Sequence, residues 1–160
     1  MNDCNGAYTV QHNSLQNIEK INVDNIVQLQ RDEKGMSYGQ VTCILNEEIT
    51  GLNIAKGLER YSDNEKIYLK NLRSYVCNIR SMLNAIETVS EKDLADYKII
   101  IHGIKKASFD IFAGEIGKNA EYLEKAARNN DLSYIRKHNS TFLKAARKLI
   151  GDIEDMLSAY

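Results

Sequence analysis

Proline is absent from all 160 residues of the chain. A proline inside a helix removes a backbone hydrogen-bond donor and clashes with the preceding turn, so a chain without proline can form long unbroken helices. The length suits one domain, or one domain with an extension, and 43% apolar residues are enough for a packed core.

Cysteine and long apolar runs are also scarce. Cys4, Cys43 and Cys77 are odd in number and widely spaced, which favours reduced thiols and a cytoplasmic protein. No stretch approaches the ~20 apolar residues of a membrane span, and the start of the chain does not resemble a signal peptide. We therefore expect no insertion into a membrane.

The chain lacks an excess of positive charge, since its net charge is −1. Nucleic-acid binding depends on Lys and Arg side chains that neutralise phosphates, so this balance argues against a nucleic-acid partner. The histidines and cysteines show neither C-x-x-C nor H-x-x-x-H spacing, which argues against zinc. No G-x-S-x-G, P-loop or dinucleotide motif is present, so an enzyme with its own active site has little support.

The chain divides into two parts at about residue 46. Residues 1–46 are rich in Asn and Gln and show only weak periodicity, which indicates an N-terminal extension or an inter-domain linker. Residues 47–160 carry strong helical patterns. The first is a short helix at 51–61. "SDNE" (62–65) then has the form of a capping box with Ser62 at the cap, and it opens a helix to about Thr88.

Three further helices follow. "SEKD" (90–93) resembles a second capping box before a helix from about Asp93 to Phe112, with Gly114 placed to end it. The next helix runs from about Glu115 to Asn129, and the last, after the break at 129–131, carries Asn139 in its apolar stripe. Four long helices joined by short polar turns predict an all-α, antiparallel up-down four-helix bundle, with the short helix capping one end.

His102 is the residue of most chemical interest. A helix advances about 100° per residue, which places His102 opposite the core stripe of Ile100, Ile104 and Ile111. We therefore expect an exposed histidine in mid-helix, with Ile99 at the edge of the same face. The other neighbours on that face are Ala95, Lys98, Lys105, Lys106 and Phe109.

Two interpretations of this face stay open. One is a solvated surface histidine among solvated lysines. The other is a neutral imidazole, kept so by the surrounding ammonium groups, whose nitrogen attacks an electrophilic phosphorus. The lysines would then neutralise the charge of about −1.5 to −2 that a phosphoryl group brings.

The stretch around His102 resembles the histidine-containing phosphotransfer (HPt) domain of bacterial phosphorelays. That family carries the pattern H-x-L-K-G on a bundle helix, followed by G-A near the helix end. Here the residues are "HGIKK" (102–106) and then "FA" (112–113). His102 matches the phosphorylated histidine and Lys105 the lysine one turn later. Residues 51–76 and 113–131 resemble other helices of the family.

The resemblance implies a phosphocarrier without enzymatic activity of its own. His102 would accept a phosphoryl group from an aspartate of a receiver domain and pass it to a second receiver. Lys105 would stabilise the phosphoryl group, with Lys98 and Lys106 as secondary charges. Ile99 and Phe109 would form the docking surface for a receiver. Phe109 is explained equally well as an isolated aromatic residue at the surface.

The resemblance also implies the partners. Response-regulator receiver domains are expected, together with a hybrid sensor histidine kinase, and the protein is expected to be a monomer. It would need no cofactor, because Mg²⁺ and the acidic pocket belong to the receiver.

The pattern departs from the family at two positions. Lys106 replaces a glycine or other small residue that lets the partner approach the imidazole, and Phe112 replaces the usual glycine near the helix end. Lys106 therefore favours an alternative, a degenerate HPt-like module that docks a receiver or kinase without phosphotransfer.

Overall fold

The computed structural model describes residues 43–160, and every regular element in this part of the chain is a helix, without strands. The predicted all-α class is confirmed for these residues. Most of the predicted extension, residues 1–42, lies outside the described residues. The five α-helices are α1 (Ile54–Arg60), α2 (Glu65–Ala85), α3 (Leu94–Asp110), α4 (Gly114–Arg128) and α5 (Leu132–Leu157). Short 3-10 turns occupy Cys43–Asn46 and Glu91–Asp93.

The start of α2 differs from the predicted capping box. The N-cap is Asn64, whose side-chain oxygen accepts a hydrogen bond from the backbone N–H of Ile67 at 3.2 Å. Ser62 instead has a φ of 53° and lies in the turn between α1 and α2. The cap assignment to Ser62 was wrong because Asn and Ser are both good caps, and the path of the turn decided between them.

The end of α3 also differs from the prediction. Phe112, not Gly114, adopts the left-handed backbone conformation, with a φ of 65°. The N–H of Ala113 donates to the carbonyl of Ser108 at 2.8 Å, which closes the helix end. Gly114 is already the first residue of α4. Glycine adopts a positive φ without steric cost, whereas Phe112 carries a Cβ atom in this conformation.

The four longer helices pack around one core. α3 contacts α2 and α4, and α5 contacts the same two helices, while α1 packs against α2. Ile44 is fully buried, and its N–H donates to the Glu65 carboxylate at 3.2 Å. The packed unit therefore includes part of the segment that the sequence assigned to the extension.

The core face of α3 is set by Tyr97, Ile101, Ile104 and Ile111, all of them buried. Ile100, predicted in this stripe, is only partly buried, because the centre of the buried face lies nearer Ile101 than the spacing suggested.

One polar network lies within this core. The Tyr97 hydroxyl donates to Asn139 Oδ1 at 2.9 Å, and Asn139 Nδ2 donates to the carbonyl of Ile86 at 2.7 Å. These bonds link α3 and α5 to the end of α2. Among residues 43–160, no helix is long and apolar enough to cross a membrane.

Candidate functional site

His102 lies in the middle of α3 with its side chain 47% exposed. The predicted exposure is confirmed. Ile101 and Ile104, close to it in sequence, are fully buried, because the helix turns them toward the core. The ring therefore stands at the surface on a well-packed helix.

A buried carboxylate of the next helix holds the imidazole. Glu124 Oε1 on α4 lies 2.8 Å from His102 Nδ1, and the Glu124 side chain is only 4% exposed. This contact joins residues that are 22 positions apart in the chain. The packing of α3 against α4 brings them together.

Two cations bind the same carboxylate. Lys105 Nζ lies 2.6 Å from Glu124 Oε2, and Arg128 Nη2 lies 2.6 Å from Glu124 Oε1. The Lys105 side chain is 19% exposed, whereas that of Arg128 is 60% exposed. Glu124 is thus the centre of a cluster of one imidazole and two cations.

The cluster keeps Glu124 ionised. Burial by itself raises the pKa of this carboxyl group, since it penalises the charged form. Hydrogen bonds from Lys105 and His102, and the charges of Lys105 and Arg128, outweigh burial and lower the pKa to about 2. At neutral pH Glu124 is therefore an anion that can only accept hydrogen bonds.

An acceptor at Nδ1 determines the tautomer of His102. Nδ1 must carry the proton in order to donate to Glu124, so in the neutral ring Nε2 carries the lone pair. No other residue of 43–160 binds the imidazole of His102 through Nε2. The arrangement thus presents an oriented nucleophilic nitrogen at the protein surface.

The other predicted site residues fall into two groups. Lys98, Lys106 and Ile99 are exposed on α3, and Ile99 is 70% exposed. Lys105 is turned toward Glu124 and is the predicted cation that the structure joins to His102 through a shared partner.

Phe109 is less available as docking surface than the sequence suggested. Its ring covers Gly117 of α4 so closely that a Cβ atom at Gly117 would lie 2.8 Å from the Phe109 ring. The ring nevertheless remains 40% exposed. It also borders a surface cleft, together with Leu45 and Phe112.

Sequence reasoning missed Glu124, which looked like one of many charged residues on α4. Two signals could have pointed to it. Glu124 stands four residues before Arg128, the spacing of a helical ion pair, and four after the buried Ala120. A carboxylate on the apolar side of a helix requires a partner, because burying an unpaired charge is costly.

The described part of the chain contains no group of three or more His, Cys, Asp or Glu side chains placed to hold a metal ion. His138 on α5 packs against Tyr134, with ring centroids 4.1 Å apart.

Comparison with known proteins identified no relative of this chain: no family model, curated protein or solved structure gave a significant match.

Proposed function

We propose that this protein is a phosphocarrier of the HPt type, which accepts a phosphoryl group on His102 from one receiver domain and passes it to another. The observation that carries the proposal is the pairing of His102 with Glu124. A half-exposed imidazole that is bound through Nδ1 to a buried carboxylate, and whose Nε2 has no partner among residues 43–160, is suited to nucleophilic attack.

The proposed reaction is an in-line displacement at phosphorus. The lone pair of His102 Nε2 attacks the phosphorus of a receiver's aspartyl phosphate. An N–P bond forms while the P–O bond to the aspartate breaks, and the aspartate leaves as a carboxylate. Nδ1 keeps its proton and continues to donate it to Glu124. The negative charge of Glu124 offsets the positive charge that develops on the ring. Attack by the aspartate of a second receiver reverses these steps.

The receiver would supply Mg²⁺ and the acidic pocket, and this chain would supply a positioned nucleophile and positive charge. The protein is therefore proposed as a carrier and not an enzyme in its own right. It would act in the cytoplasm as a monomer, with receiver domains and a hybrid sensor histidine kinase as its partners.

The proposal includes the topology. We propose that α2, α3, α4 and α5 form an antiparallel up-down bundle, with α1 capping one end. The closed set of contacts, in which each of these helices packs against two others, supports this arrangement. The docking surface would include Ile99, with Phe109 contributing the exposed part of its ring.

The test is phosphotransfer from a phosphorylated receiver domain, read as acid-labile phosphate on this protein. We expect label on the wild-type chain and none on His102→Gln. His138→Gln is the matched control, because it removes a histidine of another helix and should keep full labelling. Label that persists in His102→Gln would contradict the assignment.

A second function, the binding module without phosphotransfer, is favoured by one observation. Lys106 is exposed one turn beyond His102, where the resembled family has a small residue that gives the partner access. This alternative predicts stable binding of a receiver with no label on His102. Transfer that becomes faster in Lys106→Gly would instead mean that the lysine slows a working carrier.

A further inference from the structure

The four cations near His102 fall into two classes. Lys105 and Arg128 are bound to Glu124. Lys98 and Lys106 are exposed, and their side chains make no hydrogen bond or ion pair to any other residue of 43–160. Only the second class has an ammonium group available for an incoming phosphate without the loss of an existing partner.

If Lys105 bound the phosphoryl group, it would have to leave Glu124, which would lower the stability of the protein. Glu124 is nearly fully buried, and removing a partner from a buried ion pair leaves charge without compensation. We therefore expect Lys105 to stay bound to Glu124, where it keeps the carboxylate ionised and positioned to accept from the imidazole.

The side chains of the two unpaired lysines, Lys98 and Lys106, extend in different directions relative to His102. Lys98 lies four residues before His102 and Lys106 four residues after it, so both share its face. Side chains on a helix tilt toward its N-terminus, so Lys106 leans back over His102 whereas Lys98 leans away from it. In agreement, Lys98 borders a small cleft formed with Asn130 and Leu132, at the far end of α4.

We propose that Lys106 is the residue that binds the phosphoryl group on Nε2 of His102. The inference rests on the proposed function and changes the assignment within it. The expected main stabiliser, Lys105, becomes a positioning residue that acts through Glu124. Lys106, which stands where the resembled family has a small residue, becomes the direct ligand of the phosphoryl group. Its charge favours the phosphorylated state of this carrier.

The experiment loads His102 without any receiver. Phosphoramidate is the donor: Nε2 attacks its phosphorus, the P–N bond of the donor breaks and ammonia leaves. The pKa at which the resulting phosphoryl group loses its second proton is then measured by ³¹P NMR titration in the wild type, Lys106→Gln and Lys98→Gln. Gln has a slightly shorter side chain than Lys, keeps its polarity and removes its charge.

A nearby ammonium group favours the dianion, so its removal must raise this pKa. Two charges about 4 Å apart in water interact by about 1 kcal/mol, which corresponds to a shift of roughly 0.7 pKa unit. We expect a rise of about that size in Lys106→Gln and little change in Lys98→Gln.

The outcomes separate the two proposals. An unchanged titration in Lys106→Gln, or an equal rise in Lys98→Gln, would overturn the role of Lys106 and leave the phosphocarrier proposal standing. Absence of a phosphohistidine signal that depends on His102 would overturn both, because Lys106 would then have no group to bind.

Discussion

Glu124 Oε1 and His102 Nδ1 lie 2.8 Å apart, and one of the two side chains is buried while the other is half exposed. This difference in burial allows one residue to position the other. The buried carboxylate is held in place by the core and by two cations, so it fixes the orientation and the tautomer of a ring whose opposite edge meets the solvent.

Removal of the carboxylate should slow phosphorylation of His102. In Glu124→Ala the ring loses its acceptor and its fixed tautomer. A hydrogen bond to a charged group contributes about 1.5–3 kcal/mol, and about 1.4 kcal/mol corresponds to a tenfold change in rate. We expect phosphorylation by phosphoramidate to slow by about tenfold to a hundredfold, measured from the growth of the ³¹P signal. Glu124→Gln is the informative comparison, since its amide oxygen can still accept the Nδ1 proton. A rate in Glu124→Ala equal to that of the wild type would show that the pair does not assist the nucleophile.

Stability should fall in acid because of the same carboxylate. The pKa of Glu124 is lowered from its ordinary value of 4.5 to about 2 in the folded protein. The folded state thus binds the proton more weakly than the unfolded state does. The resulting stabilisation is complete above about pH 4.5 and is lost as the pH falls toward 2.

The size of this contribution is on the order of 3 kcal/mol, since each pKa unit corresponds to about 1.4 kcal/mol. Denaturant unfolding between pH 7 and pH 2 measures it. We expect a distinctly shallower loss of stability in Glu124→Gln over the same range. Equal slopes for the two proteins would rule out Glu124 as the source.

The two adjacent lysines should differ in their effect on stability. Lys105 binds the buried Glu124, so Lys105→Ala should lower the free energy of unfolding by about 1–2 kcal/mol. Lys106 is exposed and has no partner among residues 43–160, so Lys106→Ala should change it by no more than about 0.5 kcal/mol. Urea unfolding of both variants checks this. Equal effects would mean that the contact between Lys105 and Glu124 contributes nothing measurable.

Phe112 should carry backbone strain that glycine relieves. Its φ of 65° lies in the left-handed region, which costs an L-residue about 1–2 kcal/mol relative to glycine. The comparison uses Phe112→Ala and Phe112→Gly, because both remove the aromatic ring and only one removes Cβ. We expect the Gly variant to be the more stable of the two by about 1 kcal/mol in thermal or chemical unfolding. An Ala variant of equal or greater stability would contradict this account.

The helices were predictable because apolar spacing within one helix is a local property of the chain. The stripe on α2 and the exposure of His102 both follow from counting residues. Most of the errors lie at helix ends, and one, the burial predicted for Ile100, lies within α3. Asn64 replaces Ser62 as a cap, and Phe112 takes the backbone conformation expected at Gly114, because the path of a turn depends on the elements that it joins.

The amino-acid sequence by itself determined that the chain from about residue 47 onward is helical and that His102 faces away from the core. Only the tertiary structure decided what lies beneath the imidazole. Glu124 belongs to another helix, and its burial depends on how α3 and α4 are rotated against each other. That rotation is set by the packing of the whole core and by buried bonds such as the one between Tyr97 and Asn139, which no local pattern encodes.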